Sequence, residues 1–273
     1  MTMGDSMHTF KSQFEADGFF SPLRLVNTEE AGAYRATLEN IERIVGPLHY
    51  RFKIHTVLAM AHELATNKML LDSVEEILGP NILLYNATFI IKEPHTEAHV
   101  SWHQDLTYWG FNKDKQVAAW VALSNATEAS GCMHMVPGSH KTPQLPHQVT
   151  SDDNNVLYHG QTVDGVCDEQ ARSVPLQAGE ASLHHGWTLH TSHPNKSNDR
   201  RIGLSLNYIS TDMFQTQTED DSAMLVRGVD NFNHFKSDTP ASIEFNESAW
   251  RGLAVHDELI RQTYSKMGKT NQA

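Results

Sequence analysis

The chain has 273 residues, 39% of them hydrophobic, two cysteines and a formal net charge of −12. That length buries a sizeable core as one domain, while the charge argues against a nucleic-acid surface or a basic membrane patch, which need clustered cations. No run of about 18 apolar residues offers a membrane span, no apolar segment follows a basic start as in a signal peptide, and two cysteines make no disulfide framework, so a reducing cytoplasm is the expectation.

In chain order, most of the first 80 residues read as helical. Phe10 and Phe14, four apart, share a helix face that Asp17-Gly18 terminates. Asn27-Thr28-Glu29-Glu30 has the form of a helix N-terminus, and Gly46-Pro47 closes that helix. Amphipathic segments follow at about 56–66 and 68–78, the second ended by Gly79-Pro80. From residue 81 the period shortens. Segments 81–92, 117–124, 132–136, 180–186 and 202–210 are short, β-rich and bounded mostly by Gly, Pro, Asn or Ser. Residues 145–175 are polar and loop-like, and 211–273 are mildly acidic and mixed. Many short strands with turn punctuation predict a sandwich or barrel. The expected architecture is mainly β: a helical N-terminal layer (about 8–78) on a double-stranded β-helix, a cupin-like jelly roll (about 81–210), with the C-terminal segment completing a single domain.

Chemistry starts from Trp102-His103-Gln104-Asp105. On a strand, residues two apart face the same side. Imidazole and carboxylate there, with one distant histidine, occupy one face of an iron octahedron and leave three positions open. Spacing alone does not select this pair. With 17 histidines and 33 acids, chance gives roughly two His-x-Asp/Glu matches, and His95/Glu97 and His256/Glu258 match as well as His103/Asp105. The distant histidine is equally open, because His184, His185, His190 and His193 lie within ten positions. Arg201 opens the segment IGLSLNYIS. Its planar guanidinium matches a carboxylate bidentately, as Lys does not. Taken singly, Ser192 reads as a turn serine and Trp120 as a core aromatic.

Several ordered motifs together resemble the phytanoyl-CoA dioxygenase family, over roughly residues 10–210. They are Trp102-His103-Gln104-Asp105-Leu106-Thr107-Tyr108, Ala119-Trp120-Val121-Ala122-Leu123, Gly131-Cys132-Met133 and Pro137-Gly138-Ser139-His140, then His190-Thr191-Ser192-His193-Pro194-Asn195 and Arg201, with Gly79-Pro80-Asn81-Ile82 ahead of the first long strand. The resemblance implies a double-stranded β-helix that uses Fe(II), 2-oxoglutarate and O2. It implies His103, Asp105 and His190 as iron ligands, and Arg201, helped by Ser192, on the distal carboxylate of 2-oxoglutarate. Trp120 and Thr88 would line that co-substrate's pocket, and Arg51 or Lys53 lies near a position where some members use a basic side chain. The chain departs from the pattern at His193, where the family often has a small residue. Asp105 separates it from halogenating relatives, which have Ala or Gly there, so the resemblance implies hydroxylation, with no catalytic residue beyond the metal centre.

For the substrate, Tyr85, Tyr108 and Trp109 offer faces for an ammonium group, and Lys53, His55, Asn86 and Asn207 offer polar contacts for an anionic head. The run from Trp102 to Phe111 is more similar to bacterial small-molecule members, including those acting on aminoalkylphosphonates, than to acyl-CoA hydroxylases. The expectation is hydroxylation of a small zwitterion such as a 2-aminoethylphosphonate or its N-methylated analogue. Two rivals remain: a metal hydrolase or isomerase on a cupin-like barrel, for which Arg201 is incidental, and a catalytically silent binding domain.

Overall fold

The computed structural model describes residues 3–142, 144–150, 152–157, 161–245, 247–253, 257–258 and 261–262. Four helices, α1 (Met3–Asp17), α2 (Thr28–Val45), α3 (Ala59–Ala65) and α4 (Lys68–Leu78), belong to the N-terminal part. Thirteen strands are defined: β1 (Phe19–Arg24), β2 (Ile82–Lys92), β3 (Val100–His103), β4 (Gln116–Ala122), β5 (Met133–Met135), β6 (Gln148–Val149), β7 (Gln161–Thr162), β8 (Arg172–Val174), β9 (Glu180–His185), β10 (His190–Ser192), β11 (Arg201–Ser210), β12 (Ser222–Arg227) and β13 (Lys236–Ser237). The larger sheet runs β1-β9-β4-β11-β2-β12-β13, and the smaller runs β3-β10-β5-β8. These two sheets form the expected jelly roll.

The start of α2 follows the expected chemistry: Asn27 and Glu30 form a reciprocal capping box. Elsewhere the N-terminal part departs from a run of helices. Residues 19–24 form β1, which pairs with β9 at the edge of the large sheet. The chain enters it through Gly18, whose φ of +84° ends α1 and where a Cβ would meet Thr188 and His140. The helix expected at 56–66 is also divided. Lys53 takes φ +57°, a 3-10 turn covers Ile54–Thr56, and α3 starts only at Ala59. At the other end, β12 and β13 extend the large sheet from a segment that gave no clear sequence pattern.

Strand alternation separates two compartments. In β11, Ile202, Leu204, Leu206 and Tyr208 join the core beneath the helices, while Arg201, Ser205 and Asn207 face the cavity between the sheets. In β2, Ala87, Phe89 and Ile91 face the helices, and Asn86, Thr88 and Ile90 face the cavity. A bulge breaks this order. Asn207 pairs with Asn86 but Tyr208 pairs with Leu84, leaving Tyr85 as the extra residue. Leu83 and Tyr85 thus enter a separate cluster with Trp109, Phe52 and Phe235.

Candidate active site

A cavity of about 110 Å3 lies between the sheets, and His103, Asp105, His190 and Arg201 all line it. His103 ends β3 and pairs directly with His190 on β10. Asp105 is not on the strand, as its two-residue spacing from His103 suggested, but opens a 3-10 turn, Asp105–Thr107. The buried Gln104 fixes that turn. Its side-chain amide donates to the Trp187 carbonyl at 2.9 Å, and its oxygen accepts from Leu145 N at 2.7 Å. The Gln104 backbone N–H donates to His147 Nε2 at 3.1 Å. That acceptor role needs a neutral ring, and burial pushes the His147 pKa down to about 4.

Ligand atoms of His103, Asp105 and His190 lie within 4.8 Å of one another. Backbone carbonyls fix both histidine tautomers: His103 Nδ1 donates to Ser101 O and His190 Nδ1 to Thr188 O, each at 2.9 Å. Both Nε2 lone pairs are thereby left toward Asp105 Oδ1, at 3.4 and 3.9 Å. Burial holds His190 well below the ordinary imidazole range, with His103 and His184 adding to the effect. Burial works against the Asp105 carboxylate, yet the neighbouring His103, His184 and His190 hold it well below its ordinary range. Two imidazoles and one carboxylate on one side of a cavity have the composition of a facial-triad Fe(II) donor set.

His184 is the cavity residue that spacing arguments passed over. Its Nε2 lies 3.3 Å from Asp105 Oδ2, the oxygen turned away from the two histidines. The signal was present in the sequence. Ala181 and Leu183 of β9 belong to the core beneath the helices, so Ser182 and His184 face the opposite side. The other histidines of that cluster are elsewhere. His185 packs on His140 with ring centroids 5.6 Å apart, and His193 lies against His134 at 4.7 Å. His95 is exposed and meets Asn198; His256 lies outside the described residues.

At the other end of the cavity Arg201 is buried, with its guanidinium 5.0 Å from the Trp120 ring. Gly203 makes that packing feasible, since a Cβ there would lie 1.9 Å from Trp120. Nη1 donates to Gly131 O at 2.8 Å, Nε has no hydrogen-bond partner among the described residues, and burial lowers the pKa to about 10. The adjacent Lys92, paired in register with Arg201, is buried too. Its amino nitrogen is in hydrogen-bond contact with the Ser192 carbonyl, with Ser192 Oγ at 2.7 Å and with the His193 carbonyl. Neither basic group meets a carboxylate among the described residues, and because burial and then Arg201 lower the Lys92 pKa to about 6, Arg201 carries the charge. Buried charge without a counter-ion is costly, and a bound dicarboxylate would supply the missing anion. Ser192 and Thr88 also line the cavity, with Thr88 Oγ1 donating to Arg51 O at 2.6 Å.

Of the expected substrate residues, Tyr108, Trp109, Asn86 and Asn207 line the cavity, joined by the unforeseen Tyr50 and Phe52. Lys53, His55 and Tyr85 do not, and this corrects the sequence expectation. Lys53 and His55 are consumed by a buried cluster in which both reach Asp238 Oδ2, at 3.2 and 3.3 Å. Tyr85, turned away by the β2 bulge, donates its hydroxyl to Asp221 at 2.9 Å. These residues brace the wall from behind, and the Lys53 backbone N–H donates to Asn86 Oδ1 at 2.8 Å.

A jelly roll with this donor set and a buried arginine has the form of a non-haem iron, 2-oxo-acid oxygenase site. Comparison with known proteins gives the family. The model described as phytanoyl-CoA dioxygenase matches residues 14–203, and the chain belongs to that family. A probable alpha-ketoglutarate-dependent hypophosphite dioxygenase of Stutzerimonas stutzeri is 29% identical over 55% of this chain and 52% of its own. The peroxisomal phytanoyl-CoA dioxygenase of Homo sapiens is 30% identical over 52% of this chain and 44% of its own. The chain thus spans about half the length of the curated relatives it matches. Among solved structures, the non-haem monooxygenase ThoJ in its apo form superposes with a TM-score of 0.83 at 27% identity, covering 96% of this chain and 99% of that one.

Proposed function

We propose that the protein is an Fe(II)- and 2-oxoglutarate-dependent hydroxylase of a small molecule. In this reading His103, Asp105 and His190 hold the iron. Arg201 takes the distal carboxylate of 2-oxoglutarate, with Ser192 and Lys92 beside it and Trp120 and Thr88 as walls. The bound iron and 2-oxoglutarate supply oxygen activation. The chain's own part is to hold neutral imidazole donors in place, neutralise a buried carboxylate and exclude water. Asp105 occupies the position that a halide would need, which favours hydroxylation. The observation that carries the reading is Arg201: a buried cation without a carboxylate partner among the described residues, opening onto the same cavity as the triad.

The substrate end supports a narrower class than the sequence did. Its walls are aromatic or amide, from Tyr50, Phe52, Tyr108, Trp109, Asn86 and Asn207, and Arg201 is the one Lys or Arg among the described lining residues. With Lys53 and His55 engaged by Asp238, the phosphonate half of an aminoalkylphosphonate loses its expected partners. The reading therefore moves to a small neutral or ammonium-bearing substrate, held by ring faces and amides.

Anaerobic addition of Fe(II) and 2-oxoglutarate tests the class, because bidentate chelation at an open iron site gives a weak visible charge-transfer band. Absence of the band with fresh iron removes the oxygenase reading and leaves a hydrolase or isomerase. A band without succinate release from any substrate favours a silent domain. Arg201→Ala is expected to raise the 2-oxoglutarate requirement about a hundredfold, as for loss of a buried charged hydrogen-bond partner, with iron binding intact. An unchanged requirement removes Arg201 from the site. Succinate release screened over ammonium, neutral and phosphonate compounds tests the substrate class, and turnover confined to phosphonates overturns it.

A further inference from the structure

We propose that Glu128, Cys132 and His134 form a second divalent-metal site, of zinc type, where the 127–132 turn leads into β5 of the small sheet. One ligand atom from each lies within 4.8 Å of the others. Glu128 Oε2 and His134 Nε2 are 3.1 Å apart, close to the edge of a tetrahedron whose metal–ligand arms are about 2 Å. Thiolate, imidazole and carboxylate together suit Zn(II) and differ from the sulfur-free set at the iron centre.

Local structure brings the three together. Residues 127–132 form a tight turn in which Cys132 N donates to Thr127 O at 2.9 Å and Thr127 N to Ser130 Oγ at 2.8 Å. Glu128 on the turn and Cys132 at its end therefore sit near each other. His134 follows on β5, where Met133 faces the iron cavity and the next side chain faces out. Across the β5–β10 pairing, His193 comes beside His134, with Nε2 3.5 Å from Asp168. This gives the unexpected histidine of the His190–Asn195 motif a place beside His134 at the edge of the second site, turned toward Asp168.

Charge and access fit as well. The cysteine is buried while Glu128 is exposed, so an ion enters past the carboxylate. Burial first, and Glu128 second, push the Cys132 thiol up to about 11. Without a metal the thiol keeps its proton; on coordination the proton leaves to solvent, and thiolate plus carboxylate neutralise the divalent charge. The turn also holds the iron cavity's anchor, because Gly131 O accepts from Arg201. A metal at this point would brace that carbonyl from outside.

Cobalt(II) titration of the full-length protein separates the two sites, because only a sulfur ligand gives an intense near-ultraviolet thiolate-to-cobalt band. The band is expected in the wild type, in Cys167→Ser and in His103→Ala, and is expected to be lost in Cys132→Ser. Because Cys132 is buried, His134→Ala provides a second variant, expected to weaken zinc binding at the thiol site about tenfold or more by loss of an imidazole donor. The proposal is overturned by a wild type with no sulfur band at excess cobalt, by a band that survives Cys132→Ser or disappears in Cys167→Ser, or by unchanged zinc affinity in His134→Ala.

Discussion

Asp105 uses its two oxygens for different purposes. Oδ1 faces His103 and His190, and Oδ2 faces His184. A carboxylate oriented on its far side cannot rotate to chelate, and one fixed oxygen remains for an ion. His184→Phe keeps a ring of similar size and removes the donor. Fe(II) affinity is expected to fall about tenfold with an unchanged circular dichroism spectrum; wild-type affinity would show that the contact orients nothing. Lys92 carries a second residue-scale consequence. Burial first, then Arg201, lowers its pKa to about 6, so the unoccupied protein is short of a proton there from about pH 6 up to the ordinary lysine range near 10. An anionic carboxylate nearby restores that proton, so 2-oxoglutarate binds with proton uptake and more weakly as pH rises through this window. Titration calorimetry from pH 6.5 to 9 should show the trend in the wild type and its loss in Lys92→Met. A flat profile in the wild type contradicts it.

At the scale of elements, strand β11 was the most legible part of the chain. Its alternation of Gly, Ser and Asn with Ile, Leu and Tyr assigns one face to the core and the other to the cavity, and puts Arg201 and Asn207 on the same side. Gly203 within it is a steric requirement of the Trp120 ring. Gly203→Ala is therefore expected to displace that ring from Arg201, destabilise the fold by about 1–3 kcal/mol and raise the 2-oxoglutarate requirement. A stable variant with wild-type kinetics would show that the strands yield instead. What the sequence hid were breaks in period. The extra residue in β2 sends Tyr85 away from the cavity and keeps Asn86 in it, and strict alternation from residue 82 onward misassigns one of them. β1 was hidden for a different reason: a short edge strand of mixed burial, carrying a Ser-Pro pair, has neither a helical nor a clean alternating pattern.

For the whole molecule, the jelly roll and the cavity between its sheets were within reach of pattern reasoning, because both depend on periodicity and on residues grouped in a few motifs. The fate of Lys53 and His55 was not. Their partner Asp238 comes from a segment with no regular pattern, and the contact spans most of the sequence. Burial opposes ionisation of Asp238, yet Lys53 and His55 hold its pKa below the ordinary carboxylate range. Its contribution to stability is thus fully present above about pH 4 and fades as pH falls below that. Asp238→Asn leaves Lys53 uncompensated and is expected to cost about 3 kcal/mol, seen as a lower urea midpoint at pH 7, with the gap to wild type closing in acid. An unchanged midpoint would remove this cluster from the fold's stability.

The two sheets also divide the site between them. His103 and His190 stand on the smaller sheet, Arg201 on the larger. A molecule chelated at one end and salt-bridged at the other is then a tie-rod across the sandwich. The facing layers resist spreading only while both its ends are fastened, so each fastening tightens the other by an equal free energy. On the proposed function, rigidity of the sandwich would be conferred by the co-substrate, gained at loading and given up when the shortened product departs.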